Sequence, residues 1–328
     1  MSDRKKIVFM TGTRADYGKL IPLIKELRGT TKFEPHIFVT GMHMLERFGT
    51  TALEVLRENE NVYLFNNQSF SSTMDLIVAN TIVGFSSYIS EIRPDLIVVH
   101  GDRAEALAGA IVGSLNNILV AHIEGGEVSG TLDEVIRHAV SKLSHLHLVA
   151  NEQAASRLQR MGEEGNSIAI VGSPDIDVMV GGELPSLSEV RKRYAIGYKK
   201  YAIAVLHPVS TELSEHEFYT QQFVSALIVS DRNYIVIDPN NDPGYASILK
   251  AYSALDNREN FARFPSIRFT HFLVLLKHAE FVIGNSSLGV REAPVYGVPS
   301  INIGSRQIGR ASAPTILNIS ADQESIEQ

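Results

Sequence analysis

The 328-residue chain is 44% hydrophobic and 20% charged, with 30 basic and 37 acidic residues mixed along it and a formal charge of −7. No Lys/Arg stripe is present, which argues against nucleic acid as a partner, and the lack of cysteine excludes disulfides, thiolate chemistry and Cys-ligated zinc. No apolar run approaches the roughly 20 residues that span a membrane, and Met1-Ser-Asp-Arg-Lys-Lys leads into a short apolar run without the features of a signal peptide, so a soluble cytoplasmic protein is expected.

Short β-branched runs alternate with longer amphipathic stretches. The pattern predicts strands at residues 6–10, 36–39, 62–65, 95–100, 118–124, 146–150 and 168–171, with helices at 17–28, 73–92, 103–116 and 132–143. A turn-rich stretch at 172–186, holding Pro174, the Gly181-Gly182 pair and Pro185, interrupts the alternation. Strands then return at 201–206, 234–238, 281–283 and 300–303, with helices at 215–230, 245–254 and 269–278. A chain of this length exceeds one hydrophobic core. The expectation is therefore an α/β protein of two Rossmann-like, doubly wound halves, 1–172 and 173–328, with a cleft between them. In such sheets ligands gather at the carboxyl ends of the strands. The chain stops at Ser325-Ile326-Glu327-Gln328, inside an apparent helix, which suggests a missing C-terminal piece.

Polar residues collect just after the predicted strands. Thr11-Gly12-Thr13-Arg14-Ala15-Asp16 turns from the first strand into a helix, where backbone N–H groups beside Arg14 suit an anion. An ordinary capped Gly/Asp turn explains the same residues, and the G-x-G-x-x-G of dinucleotide sites is absent. The fourth strand ends in His100-Gly101-Asp102-Arg103 and the fifth in His122-Ile123-Glu124-Gly125-Gly126-Glu127. Asp133, Arg137 and His138 follow, the first two one helical turn apart. Carboxylates at neighbouring strand tips can take separate acid and base roles. The simpler reading makes Asp102 a helix cap and Asp133–Arg137 a surface pair. His145 and His147 would share a strand face, but with no clear third ligand they read as packed structural histidines. In the second half, His207-Pro208 ends one strand, and Gly284-Asn285-Ser286-Ser287-Leu288-Gly289 opens a helix through Glu292. That turn suits a diphosphate, with Glu292 placed to accept from ribose hydroxyls. Gly304-Ser305-Arg306-Gln307-Ile308-Gly309-Arg310 follows the next strand.

The ordered set GTRADYG (12–18), TGMH (40–43), HGDR (100–103), HIEGGEVSGTLDE (122–134), IRHAVSKLSHLH (136–147), GSPDID (172–177), HP (207–208), GNSSLGVREAP (284–294) and NIGSRQIGR (302–310) resembles the hydrolysing UDP-N-acetylglucosamine (UDP-GlcNAc) 2-epimerases of sialic- and legionaminic-acid biosynthesis. The resemblance covers nearly the whole chain. It implies a GT-B-like fold closing over a UDP-sugar, with UDP eliminated to leave a 2-acetamidoglucal that adds water to give the free manno sugar. Carried over, Asp102, Glu124 and Asp133 are the catalytic carboxylates, and His207, Ser286, Ser287, Glu292 and Arg306 hold UDP, with Arg14 near the diphosphate. No metal or redox cofactor is implied, and relatives suggest a homodimer or homotetramer. Two departures stand out. The family's C-terminal helices are missing, and Lys250 and Ser253 stand where the regulated animal enzymes carry effector-binding arginines, so feedback inhibition of that kind is not expected.

Other readings stay open on sequence. UDP-N,N′-diacetylbacillosamine is a rival substrate, and the non-hydrolysing epimerases are a rival branch, although the GTRADYG and HIEGGEVSGT forms favour the hydrolysing one. A GT-B glycosyltransferase or a non-catalytic UDP-sugar sensor belongs to another class. Three carboxylates at strand ends exceed what either needs.

Overall fold

The computed structural model describes residues 4–69, 72–129, 132–181, 184–209, 216–242, 244–307, 310 and 313–327. Gly130, Thr131, Gly182, Glu215, Ile308, Gly309 and Gln328, to which the motifs and predicted elements extend, lie outside the described residues. The chain divides into two compact units, Met1–Glu127 with Asp133–Val180, and Gly181–Gln328 with Val128–Leu132. Among the described residues, no helix is long and apolar enough to cross a membrane.

The first unit contains β1 (Lys5–Thr11), α1 (Arg14–Arg28), β2 (Phe33–Val39), α2 (Ala52–Glu58), β3 (Val62–Leu64), α3 (Met74–Ile92), β4 (Leu96–His100), α4 (Ala104–Leu115), β5 (Leu119–Ile123), α5 (Leu132–Lys142), β6 (Leu146–Val149), α6 (Glu152–Arg160), β7 (Ile168–Ile170) and α7 (Pro174–Val180). Its strands pair in parallel in the order β3-β2-β1-β4-β5-β6-β7. Side chains alternate across β1: Val8 and Met10 enter a cluster with Phe85, Tyr88 and Ile89 of α3 and Ala106 and Ala110 of α4. Ile7 and Phe9 enter another with Leu20 and Ile24 of α1 and Val55 of α2. Both faces are thus covered, which is why the strand reads as an unbroken apolar run. Each large side chain buried this way stabilises by roughly 1.5–3 kcal/mol.

The second unit contains α8 (Leu187–Arg193), β8 (Ala202–Val205), α9 (His216–Val229), β9 (Tyr234–Ile237), α10 (Tyr245–Tyr252), β10 (Phe261–Phe264), α11 (Phe269–Lys277), β11 (Val282–Gly284), α12 (Glu292–Val295), β12 (Ser300–Ile303), β13 (Ile316–Ile319) and α13 (Gln323–Glu327). Its sheet is parallel, in the order β10-β9-β8-β11-β12-β13. Ile203 and Val205 of β8 face one core and Ala202 and Ala204 the other.

In both sheets the order reverses beside the unit's first strand, between β1 and β4 and between β8 and β11. Connections leave toward opposite faces there and open a crevice at the carboxyl ends. Strands β10 and β13, absent from the sequence expectation, are the two edges of the second sheet. Leu317 of β13 is 59% exposed, so that strand offers less of an apolar run than a central one, although the edges of the first sheet, β3 and β7, were legible. Helices α2, α6, α7 and α8 also went unpredicted. The stretch read as turns from 172 to 186 holds α7, because Pro174 occupies its first position, where a missing N–H costs nothing.

Gly284 closes β11 at φ +137°, and a Cβ built there would lie 1.9 Å from the Val205 carbonyl oxygen. Only glycine fits, because β11 passes directly against β8 at this point. Gly284→Ala is expected to destabilise the second unit by about 3 kcal/mol or more, read as a lowered urea midpoint with an unchanged slope.

Candidate active site

Hydrogen bonds within the loop itself occupy the turn after β1. Thr13 caps α1 in a capping box with Asp16, whose carboxylate also accepts from the N–H groups of Gly12 at 3.0 Å and Thr13 at 3.2 Å. Arg14 forms a two-pronged pair with Glu54 of α2, at 3.0 Å from Nε and 2.6 Å from an outer nitrogen. Beneath the turn, buried His43 joins Thr11 at 3.0 Å and Thr51 at 2.6 Å. Burial lowers its pKa from 6.5 to about 4.

The tips of β4 and β5 lie side by side, His100 being paired with Ile123. Asp102, just beyond β4, does not cap α4; Arg103 takes the N-cap position without a side-chain hydrogen bond. Asp102 instead binds Arg137 of α5, an arginine only 1% exposed that also reaches the Glu127 carbonyl at 3.3 Å. Arg137 is therefore buried against the end of β4 and is not a surface residue. Asp133 sits half-buried in the first turn of α5.

Glu124 follows β5 with φ +63°, a left-handed conformation that costs a non-glycine residue roughly 1–2 kcal/mol. Its N–H is held by the Leu148 carbonyl at 3.0 Å, and its side chain is almost fully buried. Oε1 accepts from Lys19 Nζ at 3.2 Å and Ser173 Oγ at 3.0 Å. His100 Nε2 stands 3.4 Å from Oε2, within ion-pair range but without hydrogen-bond geometry. Lys19 also lies 3.6 Å from Asp175 Oδ2. Gly126, at φ +75°, has to be glycine because a Cβ would come within 2.4 Å of the Ala154 carbonyl oxygen.

His122 points away from this group. Its Nε2 is 2.8 Å from the Gly101 carbonyl, which only accepts, so the neutral ring carries its proton there and Nδ1 faces Ser141 Oγ at 3.0 Å. Burial lowers its pKa from 6.5 to about 3. His147 is buried 3.2 Å from Glu163, and His145 accepts from the Val120 N–H at 3.2 Å. Among the described residues, no group of three or more His, Asp or Glu could hold a metal ion.

In the second unit, Asn285 ties three strand ends together. Its side chain accepts from the His207 N–H at 2.7 Å and donates to the His207 carbonyl at 2.8 Å, while its own carbonyl accepts from Gln307 at 3.0 Å and Arg306 at 3.4 Å. His207 Nδ1 accepts from the Asn240 N–H at 3.2 Å, which assigns the ring proton to Nε2. Ser286 caps a single 3-10 turn, Ser287–Gly289, and buried Glu292 opens α12, only four residues long. The continuous helix expected after this turn is thus two short pieces.

Of the residues singled out on sequence, Asp102 and Glu124 meet at adjoining strand tips, with Asp133 one turn from Asp102's partner. His207, Ser286, Ser287 and Arg306 cluster around Asn285, with Glu292 on the helix that follows. Arg14 opens α1 and pairs with Glu54. The sequence reading missed Lys19, Ser173 and Asp175 as site groups. A lone lysine on an amphipathic helix normally faces solvent, and nothing local marks one that is 8% exposed.

Two doubly wound parallel sheets, each with polar residues at its switch point, define a GT-B-like α/β protein. Among solved structures, Neisseria meningitidis UDP-GlcNAc 2-epimerase bound to UDP-GlcNAc shares the fold with a TM-score of 0.82 at 19% identity, covering 98% of this chain and 89% of that one. The Methanocaldococcus jannaschii enzyme in complex with UDP-GlcNAc and UDP gives 0.81 at 22% identity, covering 98% and 91%. Residues 25–328 match the family described as UDP-N-acetylglucosamine 2-epimerase, and the chain belongs to that family. It is 51% identical over 323 residues to a Neisseria meningitidis serogroup B protein named UDP-N-acetylglucosamine 2-epimerase, spanning 98% of this chain and 85% of that protein. A Legionella pneumophila protein named UDP-N,N′-diacetylbacillosamine 2-epimerase (hydrolyzing) is 32% identical over 329 residues, spanning 98% and 87%.

Removing Asp102 takes a carboxylate away from the buried Arg137 charge. Asp102→Ala is expected to cost about 3 kcal/mol in urea unfolding, and adding Arg137→Met to recover part of that loss. Neutral burial of His122 and His43 also carries a pH signature. Their folded pKa values lie below 6.5, so the unfolded chain binds more protons and stability falls as pH drops below 6.5 toward about 4 and 3. His122→Gln is expected to flatten the dependence of Tm on pH between 6.5 and about 5.

Proposed function

We propose that the protein is a hydrolysing 2-epimerase that converts UDP-GlcNAc to free N-acetylmannosamine and UDP. The observation that carries this reading is that two carboxylates at adjoining strand tips each meet a separate buried cation, Asp102 with Arg137 and Glu124 with Lys19. A neighbouring cation favours the ionised carboxylate, the form needed both beside a developing positive charge and to accept a proton.

The substrate's C2 hydrogen is not adjacent to a carbonyl, so departure of UDP has to run ahead of its removal. The C1–O bond breaks with its electron pair leaving on UDP, and Asp102 stabilises the charge that builds at C1. Loss of the C2 proton to a carboxylate forms the 2-acetamidoglucal double bond. A protonated carboxylate then delivers a proton to the opposite face of C2 while water adds at C1. Glu124 and Asp133 take these proton-handling roles. In the second unit, Ser286, Ser287, Arg306 and the Nε2–H of His207 would hold UDP, with Glu292 accepting from its ribose. Arg14 is proposed as a further group for the diphosphate. The free manno sugar would feed biosynthesis of a nonulosonic acid.

The name of the 51% identical relative supports UDP-GlcNAc as substrate, and that of the Legionella relative supports hydrolysis. The same Legionella name keeps UDP-N,N′-diacetylbacillosamine as the second candidate. A proton NMR time course in D2O with each nucleotide sugar tests the reading. Free manno sugar carrying deuterium at C2, together with UDP, is expected. Accumulation of the manno-configured UDP-sugar instead would place the protein in the non-hydrolysing branch, and silence with both sugars would overturn the enzyme assignment.

A further inference from the structure

Glu124 is gripped from three other elements. Lys19 comes from α1, Ser173 from the entry to α7, and His100 from the end of β4. On its own strand, His122 turns its ring to Gly101 and Ser141 instead. Behind these contacts lies a carboxylate for which the proposed reaction has no use. Asp175, in the first turn of α7, is 1% exposed, with Oδ2 3.6 Å from the same Lys19 Nζ that binds Glu124.

A buried ion pair is a poor way merely to dock one helix on another, since an apolar pair of similar volume does so without desolvating charges. The arrangement has an electrostatic consequence that an apolar pair lacks. One ammonium is divided between two carboxylates, so the three groups together carry one negative charge. Glu124 then meets an ammonium already partly neutralised, and from a fixed direction.

We propose that Asp175 is a positioning residue for Glu124, acting through Lys19: its carboxylate anchors the ammonium and sets the share of the positive charge that Glu124 feels. The inference rests on the reading of Glu124 as a proton-handling group. A carboxylate facing an undivided cation would hold a proton too weakly to pass it on efficiently. With Asp175 in place, Glu124 stays ionised yet able to take the proton.

The test combines kinetics with 13C NMR of the side-chain carboxyls, the Glu124 resonance being assigned by its loss in Glu124→Gln. Asp175→Asn keeps the shape and removes the second carboxylate charge beside Lys19. The acid limb of kcat/KM and the titration of the Glu124 resonance are then expected to move together to lower pH by about one unit. A fall in kcat of about tenfold or more should accompany this, with KM within about threefold. Asp175→Glu, which restores the charge, should return the limb toward its original place. A lower Tm and kcat with the limb and the resonance unmoved would show that Asp175 only docks α7, and would overturn the proposal.

The wild-type protein supplies a second measurement that depends neither on folding of a variant nor on turnover. Two carboxylates sharing one ammonium titrate as a coupled pair, so the Glu124 and Asp175 resonances should each respond to the other's protonation. Independent single titrations would overturn the proposal even in an active enzyme. Coupled titration in a protein silent toward both nucleotide sugars would uphold the shared ammonium while removing the assigned reaction.

Discussion

A parallel sheet covered by helices on both faces leaves polar side chains one inexpensive outlet, the ends of the strands. Desolvating an unpaired charge inside either layer would cost several kcal/mol, so the middles of β1, β4, β5, β8 and β11 are apolar and the chemistry is displaced to their carboxyl ends. Asp102 and Glu124 stand just past β4 and β5, while His207, Asn285 and Arg306 stand past β8, β11 and β12. The reversal of strand order beside β1 and beside β8 then decides which of those ends adjoin an open crevice.

The two units use their strand ends differently. In the first, the polar groups are ionic and deeply buried: Arg137 is 1% exposed and Lys19 is 8% exposed, each against a carboxylate. Such pairs add little net stability, but each partner makes the other hard to remove. They also fix orientation at Glu124, whose left-handed backbone is held at its N–H by the Leu148 carbonyl and whose side chain is held by Lys19 and Ser173. In the second unit, the strand ends are joined through the side chain and backbone of Asn285. Asn285 exchanges two hydrogen bonds with the His207 backbone and accepts two more at its carbonyl. Charge held in place suits bond making and breaking, and a backbone-built frame suits recognition. This contrast supports the division of labour proposed above.

Two buried histidines, His122 and His43, are held by hydrogen bonds within the frame. His122 lies near the end of β5 and His43 in the turn after β2, yet burial keeps both neutral through the physiological range, with pKa values of about 3 and 4. Their hydrogen bonds to Gly101, Ser141, Thr11 and Thr51 tie the loops to the sheet. His100 differs, since it faces Glu124 directly.

Periodicity in the sequence determined the central strands, the long helices and the α/β class, because a strand buried on both faces can hardly be anything but a continuous apolar run. The edge strands β10 and β13 and the short helices α2, α6, α7 and α8 escaped it. Asp102, Glu124, His207 and the Gly284-Asn285-Ser286 turn stood out on sequence because polar residues right after an apolar strand are conspicuous. Which charge meets which was not. The pairing of Asp102 with Arg137, 35 positions away, and of Glu124 with Lys19, 105 positions away, exists only once the sheet has brought β4, β5, α1 and α5 together. Sequence spacing governs contacts within one element; contacts between elements are governed by strand order, and that only the tertiary structure decided.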